Sequence, residues 1–156
     1  MAEILILEDD RPLAQQWRRT LMNAGHSVEI CAAASEALEI INTRRFDLFI
    51  VDMLIRRDGA YVPDGGMILI SKMRQMHRNS EPWWRTVPIL AVTGALVLPN
   101  GFDPLRRASG MGANMTLRKP VRSLTLLESV RSLLKGPGRT PNAQADDSAN
   151  DGLSPA

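Results

Sequence analysis

Four short apolar segments of the chain each end in polar side chains that are suited to phosphoryl transfer. In chain order these side chains are Glu8, Asp9, Asp52, Thr93 and Lys119. A carboxylate that attacks a phosphoryl group brings more negative charge to an already negative centre, and this charge must be neutralised. Acids can hold a Mg²⁺ ion for that purpose, while a lysine and a hydroxyl can contact the phosphoryl oxygens. These residue types predict a phosphoryl-transfer site with Asp52 as the nucleophile.

Apolar runs and amphipathic helical patterns alternate along residues 1–135. Strands are predicted over residues 3–8, 27–31, 46–52, 87–92 and 113–117. Helices are predicted over residues 11–24, 34–43, 65–77, 101–109 and 121–135. The alternation predicts an α/β fold in which helices cover both faces of a doubly wound, five-stranded parallel sheet. The carboxyl ends of parallel strands meet at one edge of such a sheet, so the polar side chains should form one site there.

Three parts of the chain are less regular. Residues 53–66 are predicted to form a long loop after the strand that carries Asp52, because they contain several Gly, Pro and Asp residues. Trp83 and Trp84 lie in a polar segment, where they could pack against the third helix or form a docking patch for a partner. Residues 136–156 have one bulky apolar side chain and are predicted to be a disordered tail, which leaves residues 1–135 as the folded domain.

Composition narrows the classes of function. No apolar run approaches the roughly 20 residues that a membrane-spanning helix needs, and the start of the chain does not resemble a signal peptide. The single Cys31 cannot form an internal disulfide, so we expect a cytoplasmic protein without membrane association. The net charge is +2, and the arginine pairs fall on different predicted elements rather than along one face, which makes nucleic-acid binding unexpected.

The motifs ILILEDD, LFIVD, AVTGA and GANMTLRKP follow one another along the chain. Taken together and in this order, they resemble the response-regulator receiver domains of two-component signalling, the CheY-like superfamily, over residues 1 to about 135. The resemblance implies the flavodoxin-like strand order 2-1-3-4-5 with about five helices. It also implies a bacterial source and a cis peptide bond between Lys119 and Pro120.

The resemblance also implies a role for each residue of the site. Asp52 would accept phosphate from a phosphohistidine on a histidine kinase or a histidine phosphotransfer protein. Thr93 and Lys119 would contact the phosphoryl oxygens. Mg²⁺ would be held by Glu8, Asp9, Asp52 and the backbone carbonyl of Leu54.

The implied protein is a stand-alone signalling switch that binds a downstream protein target, and it could also form a homodimer. It would catalyse only its own phosphorylation and dephosphorylation. Thr116 occupies a position where receivers commonly have an aromatic residue, so the usual coupling between that ring and the switch threonine cannot operate here. The alternative is therefore a pseudo-receiver that interacts independently of phosphorylation. A haloacid-dehalogenase-like phosphatase would need a second acid where Leu54 stands.

Overall fold

The computed structural model describes residues 1–75, 81–94 and 97–136 of the chain. Its strands are β1 (Glu3–Leu7), β2 (Ser27–Cys31), β3 (Leu48–Asp52), β4 (Ile55–Arg57), β5 (Ala60–Val62), β6 (Ile89–Thr93) and β7 (Met115–Arg118). Its helices are α1 (Arg11–Asn23), α2 (Ala34–Thr43), α3 (Gly66–Arg74), α4 (Pro104–Met111) and α5 (Ser123–Leu134), and a 3₁₀ turn covers Trp83–Thr86. No helix within the described residues is both long enough and apolar enough to cross a membrane.

Five strands form one parallel sheet in the order β2-β1-β3-β6-β7. This is the predicted order 2-1-3-4-5 once the two strands of the small hairpin β4–β5 are left out of the count. The predicted doubly wound, flavodoxin-like fold with five helices is therefore confirmed. All residues of β3 and β6 are buried, as expected for central strands that helices cover on both faces.

Alternate residues of the central strands enter two separate apolar clusters. On one face, Phe49 of β3 packs with residues of α2, α3 and α4. On the other face, Ile50 packs with Trp17 of α1, which is only 2% exposed, and with residues of α5. Because each cluster holds one face of β3, the strand that ends in Asp52 is fixed from both sides.

The half-buried Trp83 and Trp84 pack onto the body of the protein. The ring of Trp83 stacks on Phe49 with centroids 6.3 Å apart, and Trp84 lies edge-on to Trp83 at 5.7 Å. Both indoles border the cluster that includes Met73 of α3. Of the two interpretations of this pair, the structure supports packing.

The prediction of an irregular loop over residues 53–66 was wrong. β4 and β5 pair in antiparallel fashion, with Arg56 opposite Tyr61. The turn residues Asp58 and Gly59 have φ angles of 52° and 80°. Positive values at both positions belong to a type I′ turn, which Asp-Gly favours. That dipeptide was the sequence signal for a hairpin.

The start of the fourth helix also differs from its prediction. Helix α4 begins at Pro104 rather than at residue 101, because the Asp103 side chain accepts a hydrogen bond from the backbone N–H of Leu105 (3.0 Å) and caps the helix there. The last two residues of the predicted third helix, 76 and 77, lie outside the described residues. The predicted tail also lies outside them from residue 137 onward.

Arg74, the last residue of α3, joins segments at the amino edge of the sheet. Its guanidinium donates hydrogen bonds to the carbonyl oxygens of Gly112 (3.1 Å), Arg85 (2.6 Å) and Val87 (2.9 Å). It also donates to the side-chain oxygen of Asn114 (3.2 Å). Burial lowers the pKa of this guanidinium. One side chain thus fixes the segments that lead into β6 and β7.

Gly66, at the start of α3, packs directly against the end of β3. A Cβ atom at this position would lie 2.6 Å from the carbonyl oxygen of Asp52, a distance that requires the backbone to move. We expect Gly66→Ala to lower the free energy of unfolding by about 1–3 kcal/mol, the usual cost of overpacking. Urea denaturation followed by tryptophan fluorescence would measure the change.

The matched control is Gly110→Ala in α4, where a Cβ atom would meet nothing within 4 Å. Because alanine favours a helix over glycine, this variant should gain up to about 1 kcal/mol. A Gly66→Ala protein as stable as the parent would contradict the packing described here.

Candidate functional site

A cleft of about 290 Å³ opens at the carboxyl edge of the sheet. It is lined by all the residues predicted for the site, namely Glu8, Asp9, Asp52, Leu54, Thr93 and Lys119. The strands β1, β3, β6 and β7 each deliver a part of this set, because their carboxyl ends meet here. The structure thus brings the predicted residues together in one place.

The ammonium group of Lys119 lies between two buried carboxylates. Its Nζ atom is 2.8 Å from Oδ2 of Asp52 and 2.7 Å from Oε2 of Glu8. Asp52 is 4% exposed and Glu8 is 1% exposed. The backbone N–H of Lys119 donates to the carbonyl oxygen of Thr93 (3.0 Å), which ties β7 to the end of β6. The Lys119–Pro120 peptide bond is cis, as expected.

Three acids form a compact cluster in the cleft. Glu8, Asp9 and Asp52 each offer one oxygen atom, and these atoms all lie within 4.8 Å of one another. Among the described residues, Lys119 is the cationic side chain that forms ion pairs with this cluster, so three carboxylates share one positive partner. Closely spaced carboxylate oxygens with excess negative charge are the donor set that suits a hard divalent cation such as Mg²⁺. The residues present therefore fit a magnesium ion.

Burial raises the pKa values of two of the three acids, Glu8 and Asp52. Removal from water raises the pKa of Glu8 to about 7, and its hydrogen bond to Lys119 opposes this rise only in part. Burial also raises the pKa of Asp52, again against the influence of Lys119. Burial alone would lower the pKa of Lys119, but its hydrogen bonds and charge interactions with Asp52 and Glu8 outweigh that effect and raise it. A cation bound here would relieve the cost of ionising both acids.

Backbone N–H groups orient all three carboxylates. Leu54 donates to Oδ1 of Asp52 (3.1 Å), and the N–H of Asp10 donates to Oε1 of Glu8 (3.0 Å). The N–H of Arg56 donates to Oδ2 of Asp9 (2.8 Å). These contacts fix the carboxylate planes before any ligand binds. The Asp10 side chain instead caps α1 by accepting from the N–H of Leu13 (3.1 Å).

Thr93 and Thr116 lie on the neighbouring strands β6 and β7, and they differ in how deeply their side chains are buried. Thr93 is the last residue of β6 and is 1% exposed. Thr116 lies in β7 beside Ala91 and is half-buried. Gly94 is exposed, and a Cβ atom at this position would lie 3.6 Å from Cδ of Lys119. The missing side chain at Gly94 keeps the cleft open beside the lysine.

Two residues that line the cleft were not predicted from the sequence. Arg56 and Tyr61 come from the hairpin β4–β5 and face each other across its strands. The guanidinium carbon of Arg56 lies 4.6 Å from the centroid of the Tyr61 ring, and Nη2 donates to the Tyr61 hydroxyl (2.9 Å). They were missed because the segment was interpreted as a loop.

Comparison with known proteins agrees with this geometry. Residues 4–131 match the family described as the response regulator receiver domain. The response regulator MprA of Mycolicibacterium vanbaalenii is 31% identical, over 94% of this chain and 55% of its own length. The chain thus spans about half the length of the curated relatives it matches.

Two solved structures resemble the chain in fold and are also similar to it in sequence. The signal receiver domain of a signal transduction histidine kinase from Syntrophus aciditrophicus has 27% identity and a TM-score of 0.72, covering 93% of this chain and 98% of its own. The chemotaxis protein CheY4 of Vibrio cholerae has 28% identity and a TM-score of 0.68, covering 86% of this chain and 99% of its own. With the family matching most of its length and the acidic cleft in the expected place, the chain belongs to the response regulator receiver domain family.

Proposed function

We propose that Asp52 is the phospho-acceptor of a two-component signalling switch. The observation that carries the proposal is the contact of Lys119 with both Asp52 and Glu8 inside an open, acidic cleft. A buried carboxylate with an ammonium partner and a neighbouring hydroxyl has the groups that phosphoryl transfer requires. Receiver domains as a family are signalling phospho-acceptors rather than classical enzymes, which agrees with this assignment.

In the proposed reaction, the Asp52 carboxylate attacks the phosphorus of a phosphohistidine. A P–O bond forms as the P–N bond breaks, and the leaving imidazole takes up a proton. Lys119 stays paired with Asp52 and contacts a phosphoryl oxygen, while the Thr93 hydroxyl hydrogen-bonds another. Glu8, Asp9, Asp52 and the Leu54 carbonyl would hold Mg²⁺. When bound, the ion neutralises charge shared by the carboxylate and the incoming phosphoryl group.

The donor in this proposal is a histidine kinase or a histidine phosphotransfer protein in the cytoplasm. Receiver domains interact with histidine kinases and with downstream targets, and we propose the same two kinds of partner here. Phosphorylation would shift the protein toward a state that binds its downstream protein target, and the domain would hydrolyse its own acyl phosphate. The domain that would perform this function comprises residues 1–135.

One observation favours a second candidate, a pseudo-receiver that binds its partner without phosphorylation. Thr116 provides no ring that could follow a movement of Thr93, so the common route from phosphate to surface is missing. The two candidates differ in the chemistry of Asp52. A covalent adduct on this residue supports the switch, whereas a protein that takes up no phosphate supports the pseudo-receiver.

Intact-mass analysis after incubation with acetyl phosphate tests the proposal. We expect one phosphoryl adduct with Mg²⁺ present and no adduct with EDTA. Borohydride reduction of the adduct should convert Asp52, and no other aspartate, to homoserine in the peptide map. If acetyl phosphate gives no adduct, beryllofluoride binding separates a site that needs its kinase from one that cannot hold a phosphoryl group. A protein that fails both assays would overturn the proposed function.

A further inference from the structure

The hairpin β4–β5 forms a fixed wall of the cleft. At its base, Ile55 is 1% exposed and belongs to the apolar cluster below the sheet. Just beyond the hairpin, the Asp64 carboxylate accepts hydrogen bonds from the backbone N–H and the hydroxyl of Ser35, both at 2.8 Å. The hairpin is thus held at both ends, by the core and by the start of α2. Side chains on its strands have defined positions relative to Asp52.

Arg56 is the charged residue of the two that line the cleft from this wall, the other being Tyr61. Its backbone N–H holds Asp9, and its side chain lies on the Tyr61 ring and donates to the Tyr61 hydroxyl. No carboxylate of the described residues forms an ion pair with its guanidinium. The side chain therefore keeps a positive charge beside an acidic site without being neutralised by it.

The neighbouring Arg57 provides a natural contrast. Successive side chains of a strand point to opposite sides, so Arg57 lies on the other face of the hairpin. Its guanidinium is 3.6 Å from the Asp64 carboxylate, and it does not line the cleft. Both arginines are exposed and carry the same charge, but only Arg56 lines the cleft that holds Asp52.

Transfer of a phosphoryl group adds negative oxygens to the place where Lys119 contacts Asp52. One ammonium group is a point charge, whereas a guanidinium offers several N–H groups in a planar arrangement that fits phosphate oxygens. The hydrogen bond to Tyr61 restricts the Arg56 side chain before a ligand arrives, which reduces the ordering cost of a new contact.

We propose that Arg56 is a phosphoryl-binding residue, held by Tyr61, that contacts the oxygens of the incoming phosphoryl group and of the acyl phosphate on Asp52. This inference rests on the proposed function of Asp52 and adds the hairpin to the groups that recognise the phosphoryl donor. The hairpin β4–β5, which lies outside the four strand ends that form the rest of the site, thereby takes part in phosphoryl binding.

Beryllofluoride with Mg²⁺ is the probe, because it occupies the place of the phosphoryl group without turnover. The full chain and the variants Arg56→Met and Arg57→Met are titrated, with binding followed by tryptophan fluorescence and ¹⁹F NMR. We expect Arg56→Met to bind about tenfold more weakly than the parent, the usual loss for one charge-assisted contact. Arg57→Met should remain within about twofold of the parent, since exposed charges at a distance are screened. Urea midpoints establish that both variants are folded.

Two further measurements separate a contact from a general charge effect. Arg56→Lys should recover only part of the affinity, because it keeps the charge but loses the planar arrangement. The KM for acetyl phosphate should rise in Arg56→Met. The Mg²⁺ concentration that gives half-maximal phosphorylation should stay unchanged.

The outcomes separate this inference from the function on which it rests. If the parent binds beryllofluoride and Arg56→Met binds it equally well, Arg56 has no such role and the proposed function is unaffected. Equal losses in Arg56→Met and Arg57→Met would also overturn the inference, since they would indicate a long-range charge effect. If the parent neither binds beryllofluoride nor accepts phosphate, the proposed function fails and the inference fails with it.

Discussion

Replacement of Lys119 by methionine is expected to slow phosphorylation of Asp52 by about 100-fold or more, the loss typical of removing one preorganised group that stabilises transition-state charge. The Nζ atom lies 2.8 Å from Asp52 and 2.7 Å from Glu8, so the charge is already in place before the donor arrives. The initial rate of adduct formation with acetyl phosphate, measured by intact mass, provides the readout.

The same variant should bind Mg²⁺ more tightly than the parent. Lys119 occupies space between two carboxylates that the ion would also use, and its removal takes away a competing positive charge. Trp17 can report the binding, because its ring centroid lies 5.8 Å from the Lys119 ammonium. Lys72→Met, which removes an exposed lysine of α3, is the matched control and should change neither quantity. A Lys119→Met protein that is phosphorylated at nearly the parental rate would contradict the proposed role.

Substitution of Glu8 by glutamine is expected to remove a large part of the pH dependence of stability in the metal-free protein. The pKa of Glu8 is about 7 in the folded protein, against 4.5 for an ordinary glutamate. Between these values the folded chain holds a proton that the unfolded chain has released. Stability therefore falls as the pH rises through this window. Above the window the ionised, buried Glu8 costs up to about 3 kcal/mol.

The difference in unfolding free energy between Glu8→Gln and the parent should thus increase from about pH 5 to about pH 8 in favour of the variant. Urea denaturation in EDTA at several pH values measures it. The control is Glu128→Gln, which alters an exposed glutamate of α5 and should leave the pH dependence unchanged. Added Mg²⁺ should stabilise the parent more than Glu8→Gln, because the ion offsets the charge that the variant lacks. Parallel pH profiles for the parent and Glu8→Gln would contradict this account.

The parallel sheet and the main features of the site could be predicted from the sequence because both depend on strong local patterns. The runs before Glu8 and Asp52 are continuously aliphatic, which indicates central strands, and a parallel sheet brings such strand ends together. The positions of the site residues then follow from the topology. Side-chain contacts such as that of Lys119 with Glu8 do not follow from it, since they depend on packing across the four strands from β1 to β7.

The hairpin β4–β5 and the position of Arg56 could not be predicted in the same way. β4 and β5 have three residues each and are largely exposed, so they lack the apolar alternation that reveals longer strands. The Asp58-Gly59 turn was a usable signal, but the surrounding Pro and Gly residues favoured a loop. The start of α4 depended on Asp103, an N-cap residue that directly precedes Pro104 and was itself a usable sequence signal.

The two ends of the sheet respond differently to pH, because Arg74 holds one end and the buried carboxylates lie at the other. The acceptors of the Arg74 guanidinium are carbonyl and amide oxygens, none of which titrates in the physiological range, and arginine itself stays charged there. The carboxylate edge, in contrast, accumulates unfavourable charge in alkaline buffer without a metal. Hydrogen exchange under those conditions should therefore be fastest near the ends of β3 and β6, while the beginnings of β6 and β7 stay protected. Local unfolding would therefore begin at the edge of the sheet that carries the carboxylates and proceed toward the opposite edge.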